Sequence, residues 1–184
     1  NHLHEGNEKL EHETEHKMNP VFDQIEIGLG TWAWGDRLVW GYGDKYSGKE
    51  IEESFYEALQ NGIRFFDTAE VYGQGRSEQF LGKMIPASNE PIRVATKFMP
   101  YPWRFGKNAL RNALKGSLDR LGIQKVDLYQ IHWPLPPIPM ESWMQQLADV
   151  YEDGLISAAG VSNYDLNLTK RAVEALDKRG IALA

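Results

Sequence analysis

PIRVATKFMPYPWRFGKNALRNALKGSLDRLGIQKVDLYQIHW, residues 91–133, decides the fold. PIRVATKF (91–98) is a short β-rich run. From Asn108 onward Leu110, Leu114, Ser117, Leu118 and Leu121 recur at helical spacing, Gly122 closes that helix, and VDLYQIHW (126–133) is again short and apolar. Strand, helix and strand in this order imply parallel strands joined by a right-handed crossover. The alternation continues on both sides. Upstream lie a strand IEIGLGT (25–31), a long Trp- and Gly-rich loop, and a helix over Lys49–Gln60 with Ile51, Phe55, Ala58 and Leu59 on one face. A second strand IRFFDTA (63–69) and a short helix SEQFLGKMI (77–85), with Ser77 as its N-cap, follow. Downstream come a helix over Met140–Glu152, a strand LISAAGVSN (155–163), a helix over Leu168–Lys178 and IALA (181–184) as the opening of a sixth strand.

A repeat of roughly 30 residues suits the βαβ unit, and eight such units make a (β/α)8 barrel of the TIM type. The fold class is therefore α/β, with five or six of the eight units in these residues. Such a set leaves an open sheet edge, so the expectation is a fragment or a barrel completed by another chain, with self-association through that edge. An open doubly wound sheet is the alternative. It lacks its fingerprint, because no strand here runs into G-x-G-x-x-G and then a helix.

Composition narrows the function classes. The 184 residues are 42% hydrophobic and 25% charged, as in an ordinary soluble globular chain, and the formal net charge of −6 argues against a nucleic-acid surface. There is no cysteine, which removes disulfide and thiolate chemistry, and no apolar run approaches the roughly 18 residues of a membrane span. A cytoplasmic protein with small-molecule partners is expected. Residues 1–24 read as a polar tail that holds four of the five histidines, including His12 and His16 at i, i+4 spacing with His2 and His4 nearby. No buried surroundings are implied there, so no metal site is assigned. Residues 25–184 carry the barrel.

Active residues of such barrels sit at the carboxyl ends of strands. Asp67 ends FFD, Tyr72 follows in DTAEVYGQG, Lys97 ends VATK, and His132 follows YQI just before Trp133-Pro134. Taken singly, each has a bland reading: a turn-capping aspartate, a loop tyrosine, a snorkelling lysine, a structural histidine. Together they supply a phenol, an ammonium to act on it, a carboxylate to hold the ammonium, and an imidazole. Trp32, Trp34, Trp40, Tyr101 and Trp103 fall in rim loops and are candidates for an aromatic pocket wall.

These residues stand in text that resembles the aldo-keto reductase family: GLGTWAWG, FFDTAEVYGQGRSEQFLGK, VATKF, DLYQIHWP and GVSNY, from about Ile25 to the end. The Trp-rich loop and YPWR resemble a branch found in plastid-bearing and bacterial sources, which makes a plastid the alternative compartment. The resemblance implies a reductase of aldehydes and ketones. In it Tyr72 is the general acid, Lys97 lowers the pKa of Tyr72, Asp67 pairs with Lys97, and His132 orients the carbonyl. Hydride then comes from a nicotinamide cofactor, NADPH by family habit with NADH as the alternative. Gly30, Thr31, Trp32, Asp67, Ser162 and Asn163 match the family's cofactor-lining positions. The family's pyrophosphate and 2′-phosphate contacts come from the seventh and eighth units, beyond this sequence, so little turnover is expected of these residues alone. A non-catalytic regulatory or redox-sensing subunit, or an inactive short product, is the other reading.

Overall fold

Five parallel strands pair in chain order, β1 (Gly28–Gly30), β2 (Phe65–Asp67), β3 (Arg93–Phe98), β4 (Val126–Ile131) and β5 (Ile156–Val161). Between and after them run α1 (Gly48–Gln60), α2 (Arg76–Met84), α3 (Ala109–Leu121), α4 (Met140–Glu152) and α5 (Leu166–Asp177). This computed structural model describes residues 19–184. The order is that of consecutive β/α units of an eight-stranded barrel, as the alternation of periods predicts. Ala184 N–H bonds the Ala159 carbonyl (2.9 Å) and Leu183 forms a parallel bridge to Ala159, so the last four residues do line up beside β5.

Each strand sorts its side chains onto two faces because successive residues point oppositely. Leu29, Phe66, Val94, Phe98, Tyr129, Ile131 and Ala159 join the layer beneath the helices, where Phe55, Leu81, Leu114, Trp143 and Leu147 are buried. The alternate residues Phe65, Ala95, Leu128 and Ala158 form a second, smaller cluster with Val21 and Phe22 on the inner face. Asn19–Gln24 therefore do not belong to the tail that the sequence assigns them to. Pro20–Phe22 make a 3-10 turn, Val21 is buried, and Arg93 Nη1 donates to the carbonyls of Val21 (2.5 Å) and Asp23 (3.1 Å). The residues before Asn19, with the four histidines named above, lie outside the described residues.

Local chemistry sets the helix starts. Ser47 caps α1 and forms a capping box with Glu50, so the helix begins one residue ahead of the expected Lys49. Asp165 accepts the Leu168 N–H (2.8 Å), which starts α5 two residues early. Ser77 is not the cap expected for α2. The N-cap position is Gly75, and Ser77 lies inside the helix, buried, with its hydroxyl bonded to those of Thr31 (2.7 Å) and Thr68 (2.8 Å) and donated to the Thr31 carbonyl (2.9 Å). Among the described residues no helix is long and apolar enough to cross a membrane.

Candidate active site

Continuing the inner-face alternation upward from Phe65, Ala95 and Leu128 leads to Asp67, Lys97 and, two residues past Gln130, His132. The period of two thus carries apolar residues low in the barrel and polar ones at its mouth. His132 still pairs with β3 through its N–H to the Phe98 carbonyl (2.8 Å), although the strand proper ends at Ile131. Tyr72 arrives from the loop after β2. Its N–H bonds the Ala69 carbonyl (3.0 Å), and Tyr72–Gly75 form a tight turn with Gly73 at φ 55°. A Cβ on Gly73 would stand 2.8 Å from the carbonyl carbon and oxygen of Gly35, so only glycine lets the first loop rest on this turn. Arg76 Nε then locks the contact by donating to the same Gly35 carbonyl (2.7 Å).

Lys97 is 5% exposed, and its ammonium lies 2.7 and 2.6 Å from the Asp67 oxygens, 2.9 Å from the Thr68 carbonyl and 3.5 Å from the Tyr72 hydroxyl. An ammonium has three protons, and the three nearer acceptors take them. The phenol is the fourth and most distant neighbour. Its pKa is accordingly not lowered, as the sequence reading expects, but pushed up to about 12 by burial and then by the Asp67 charge. Burial pulls the Lys97 pKa down, and Asp67 opposes that shift.

The His132 ring meets Tyr72 edge-on, with centroids 5.6 Å apart and planes at 80°. Burial, and then the Lys97 charge, lowers its pKa to about 4, so the imidazole is neutral at pH 7. Its Nδ1 is buried without a hydrogen-bond partner among the described residues. Asn163, at φ 59°, donates from Nδ2 to the His132 carbonyl (2.8 Å) and to Ser162 Oγ (3.1 Å), which places Ser162 and Asn163 beside the histidine at the end of β5.

The structure brings together only part of the expected pocket wall. Trp32 is tilted against Tyr72 at 6.2 Å between centroids and meets Trp40 edge-on at 5.6 Å, so both stand at the mouth. Trp34 does not. Its ring is 5% exposed and packs on Phe55 and Phe66 in the core, because the turn that bonds Trp34 N–H to the Thr31 carbonyl breaks the alternation with Trp32. Tyr101 and Trp103 stack on each other at 4.6 Å and 7°, and among the described residues no ring contact joins them to Tyr72. Thr31 is fully buried with its hydroxyl engaged by Ser77, which removes its side chain from the cofactor-lining set, whereas Gly30 has open space where a Cβ would stand. Trp133, whose ring centroid is 6.5 Å from His132, is a mouth residue that the sequence reading used only as a strand stop. The paired Glu70 and Arg104 were also missed, because 34 positions separate them and no local period links them. Among the described residues no group of three or more His, Cys, Asp or Glu is placed to hold a metal ion.

A family model described as the Aldo/keto reductase family matches residues 26–184. The chloroplastic pyridoxal reductase of Arabidopsis thaliana is 40% identical over 181 residues, covering 91% of this chain and 49% of that protein. A crystal structure of the thermostable aldo-keto reductase Tm1743 with the inhibitor epalrestat superposes with a TM-score of 0.70 at 36% identity, over 80% of this chain and 53% of that one. An aldo-keto reductase from Klebsiella pneumoniae in complex with NADPH gives 0.65 at 28% identity, over 82% and 48%. The chain thus spans about half the length of the curated relatives it matches.

Proposed function

This chain belongs to the aldo/keto reductase family, and on that premise we propose that its rim carries out the proton-transfer half of NADPH-dependent reduction of aldehydes or ketones to alcohols, with Tyr72 as the acid. What supports the reading is the single cluster at the mouth, in which Tyr72 OH lies 3.5 Å from an ammonium that Asp67 holds by both oxygens, with a neutral imidazole edge-on to the phenol. Tyr72 gives its proton to the carbonyl oxygen as negative charge builds there. With its pKa at about 12 it keeps that proton at neutral pH. It is still a stronger acid than a simple alcohol, which is about as weak an acid as water at ~15.7, so the transfer runs downhill. The ammonium of Lys97 then faces the phenolate that donation leaves. His132, uncharged, offers an N–H to the same oxygen without competing for its proton.

The residues fit a nicotinamide. The Asn163 amide nitrogen is used within the chain, which leaves its side-chain oxygen as the acceptor for a carboxamide N–H, and Gly30 leaves room at the end of β1. Bound there, the cofactor supplies the hydride. NADPH is proposed over NADH because the Klebsiella pneumoniae enzyme was solved with NADPH. Trp32, Trp40 and Trp133 favour a planar, uncharged carbonyl substrate, and the pyridoxal reductase relative is consistent with an aromatic aldehyde. That relative's chloroplastic location supports a plastid over the cytoplasm.

The test follows nicotinamide fluorescence on adding NADPH to the protein that carries this chain, then its oxidation with 4-nitrobenzaldehyde or pyridoxal. Tyr72→Phe should leave cofactor binding intact and cut turnover by about 10²- to 10⁴-fold, the usual worth of a positioned acid. Turnover unchanged by Tyr72→Phe refutes the assignment, and binding with no turnover in the parent favours a regulatory subunit.

A further inference from the structure

Glu70 lies between Asp67 and Tyr72 in the chain, and its side chain is 7% exposed. Its Oε1 accepts the Met99 N–H (2.7 Å) and Arg104 Nη1 (2.5 Å), and its Oε2 accepts Arg104 Nη2 (3.0 Å). Arg104 Nη1 also donates to the Met99 carbonyl (3.0 Å). One ion pair thus grips both main-chain polar groups of Met99, two residues beyond Lys97. The guanidinium also lies over the rings of Phe98 (5.1 Å) and Tyr101 (5.5 Å), and Tyr101 stacks on Trp103.

The backbone alone makes this connection only weakly. Pairing between β2 and β3 is good as far as the Thr68 N–H to the Ala95 carbonyl (2.8 Å), but one step higher the Glu70 N–H stands 3.5 Å from the Lys97 carbonyl. The ladder gives out where the loop to Tyr72 begins. From there upward the Glu70 side chain takes over the cross-link, by charge-assisted hydrogen bonds with bidentate geometry. An exposed ion pair would hold little, whereas this carboxylate is shielded and has both oxygens occupied.

We propose that Glu70, acting through Arg104 and the Met99 peptide, is a positioning residue that fixes the Tyr72 hydroxyl against the Lys97 ammonium and sets the pose of the aromatic loop Tyr101–Trp103. Its effect on turnover rests on the reductase reading above, but its effect on Tyr72 does not.

The experiment compares Glu70→Ala, Glu70→Gln and Arg104→Lys with the parent. Three readouts are followed: hydrogen exchange at the Met99 amide, the titration of Tyr72 in protein labelled at the tyrosine ring carbon, and kcat and KM for 4-nitrobenzaldehyde. In Glu70→Ala the Met99 amide should exchange about tenfold faster or more, as loss of a charge-assisted bond implies. Tyr72 should titrate below its parent value of about 12, towards the ordinary tyrosine value near 10, as its burial loosens. In that variant kcat should fall about tenfold with NADPH affinity unchanged. Glu70→Gln keeps the shape and the acceptor for Met99, and should recover part of each loss. Faster exchange at Met99 with Tyr72 titration and kcat unmoved would reduce the pair to a loop staple and overturn the proposal, as would unchanged exchange. If the parent shows no turnover, the reductase reading fails and the Tyr72 titration still decides this one. If Glu70→Ala does not fold, Glu70→Gln and Arg104→Lys carry the same comparison.

Discussion

Acidification should destabilise the protein through His132, by an amount that the geometry sets. The ring is 7% exposed, its Nδ1 has no partner among the described residues, and its pKa is lowered from 6.5 to about 4 by burial and then by Lys97. Between those two values the unfolded chain binds a proton that the folded chain refuses, so stability rises with pH across that window. The contribution is fully present above pH 6.5 and is lost as the pH falls towards 4, where it levels off. At pH 4.5 the unfolded imidazole is almost wholly protonated and the folded one about a quarter so. With about 1.36 kcal/mol per pKa unit, the loss between pH 7 and pH 4.5 is about 2 to 2.5 kcal/mol. Replacing the ring by Gln keeps an N–H donor and removes the titration. Urea denaturation of the parent and of His132→Gln at the two pH values isolates the difference, because every other titrating group is common to both. The parent should lose about 2 kcal/mol more than the variant on acidification, and the His132 ring signal should stay neutral down to pH 5. Equal losses within about 0.5 kcal/mol, or a ring midpoint near 6.5, would refute the claim that this imidazole is held neutral by its burial.

Two substitutions test the packing that positions the rim. In Gly82→Ala the new Cβ would run into the Arg120 carbonyl oxygen and fall 2.8 Å from the Leu121 carbonyl. Backbone cannot swing aside, so α2 and α3 must part. Overpacking of this kind costs about 1–3 kcal/mol and outweighs the better helix propensity of alanine, and a lowered thermal midpoint is the check. In Trp34→Ala a core ring that touches Phe55 and Phe66 is lost, at about 3–5 kcal/mol in denaturant unfolding, with KM for 4-nitrobenzaldehyde unchanged. A shifted KM with little loss of stability would instead place that ring at the mouth.

Asp67, Lys97 and His132 were legible because each ends a strand whose apolar alternation is plain, and the period of two then fixes which face they share. Trp34 was assigned to the pocket wall because it falls in a rim loop, but the backbone bond that turns it into the core leaves no mark on composition. Ser77 carries the local signature of a helix cap, yet its partners are Thr31 and Thr68 on neighbouring strand ends, and a tertiary bond to buried hydroxyls outweighed the local one. Glu70 lay inside the most specific motif, but its meaning depends on Arg104, which stands in a loop without periodicity.

The Tyr72–Lys97 relation shows why a residue list cannot set a pKa. The sequence supplies an ammonium and a phenol and suggests that one acidifies the other. The geometry gives the Lys97 protons to Asp67 and Thr68 first, at 2.6 to 2.9 Å, so the resting phenol feels the Asp67 carboxylate and its own burial more than the cation. In its proposed role as the acid, Tyr72 tuned this way does not leak its proton at neutral pH. Its assistance is deferred: when the phenol has given up its proton, the new negative charge lies 3.5 Å from a cation already fixed in place, which need not reorganise to meet it. On this account Asp67 has two opposed effects. It raises the barrier to idle ionisation of Tyr72, and by holding Lys97 charged against the cost of burial it keeps the counter-ion ready for the moment of transfer.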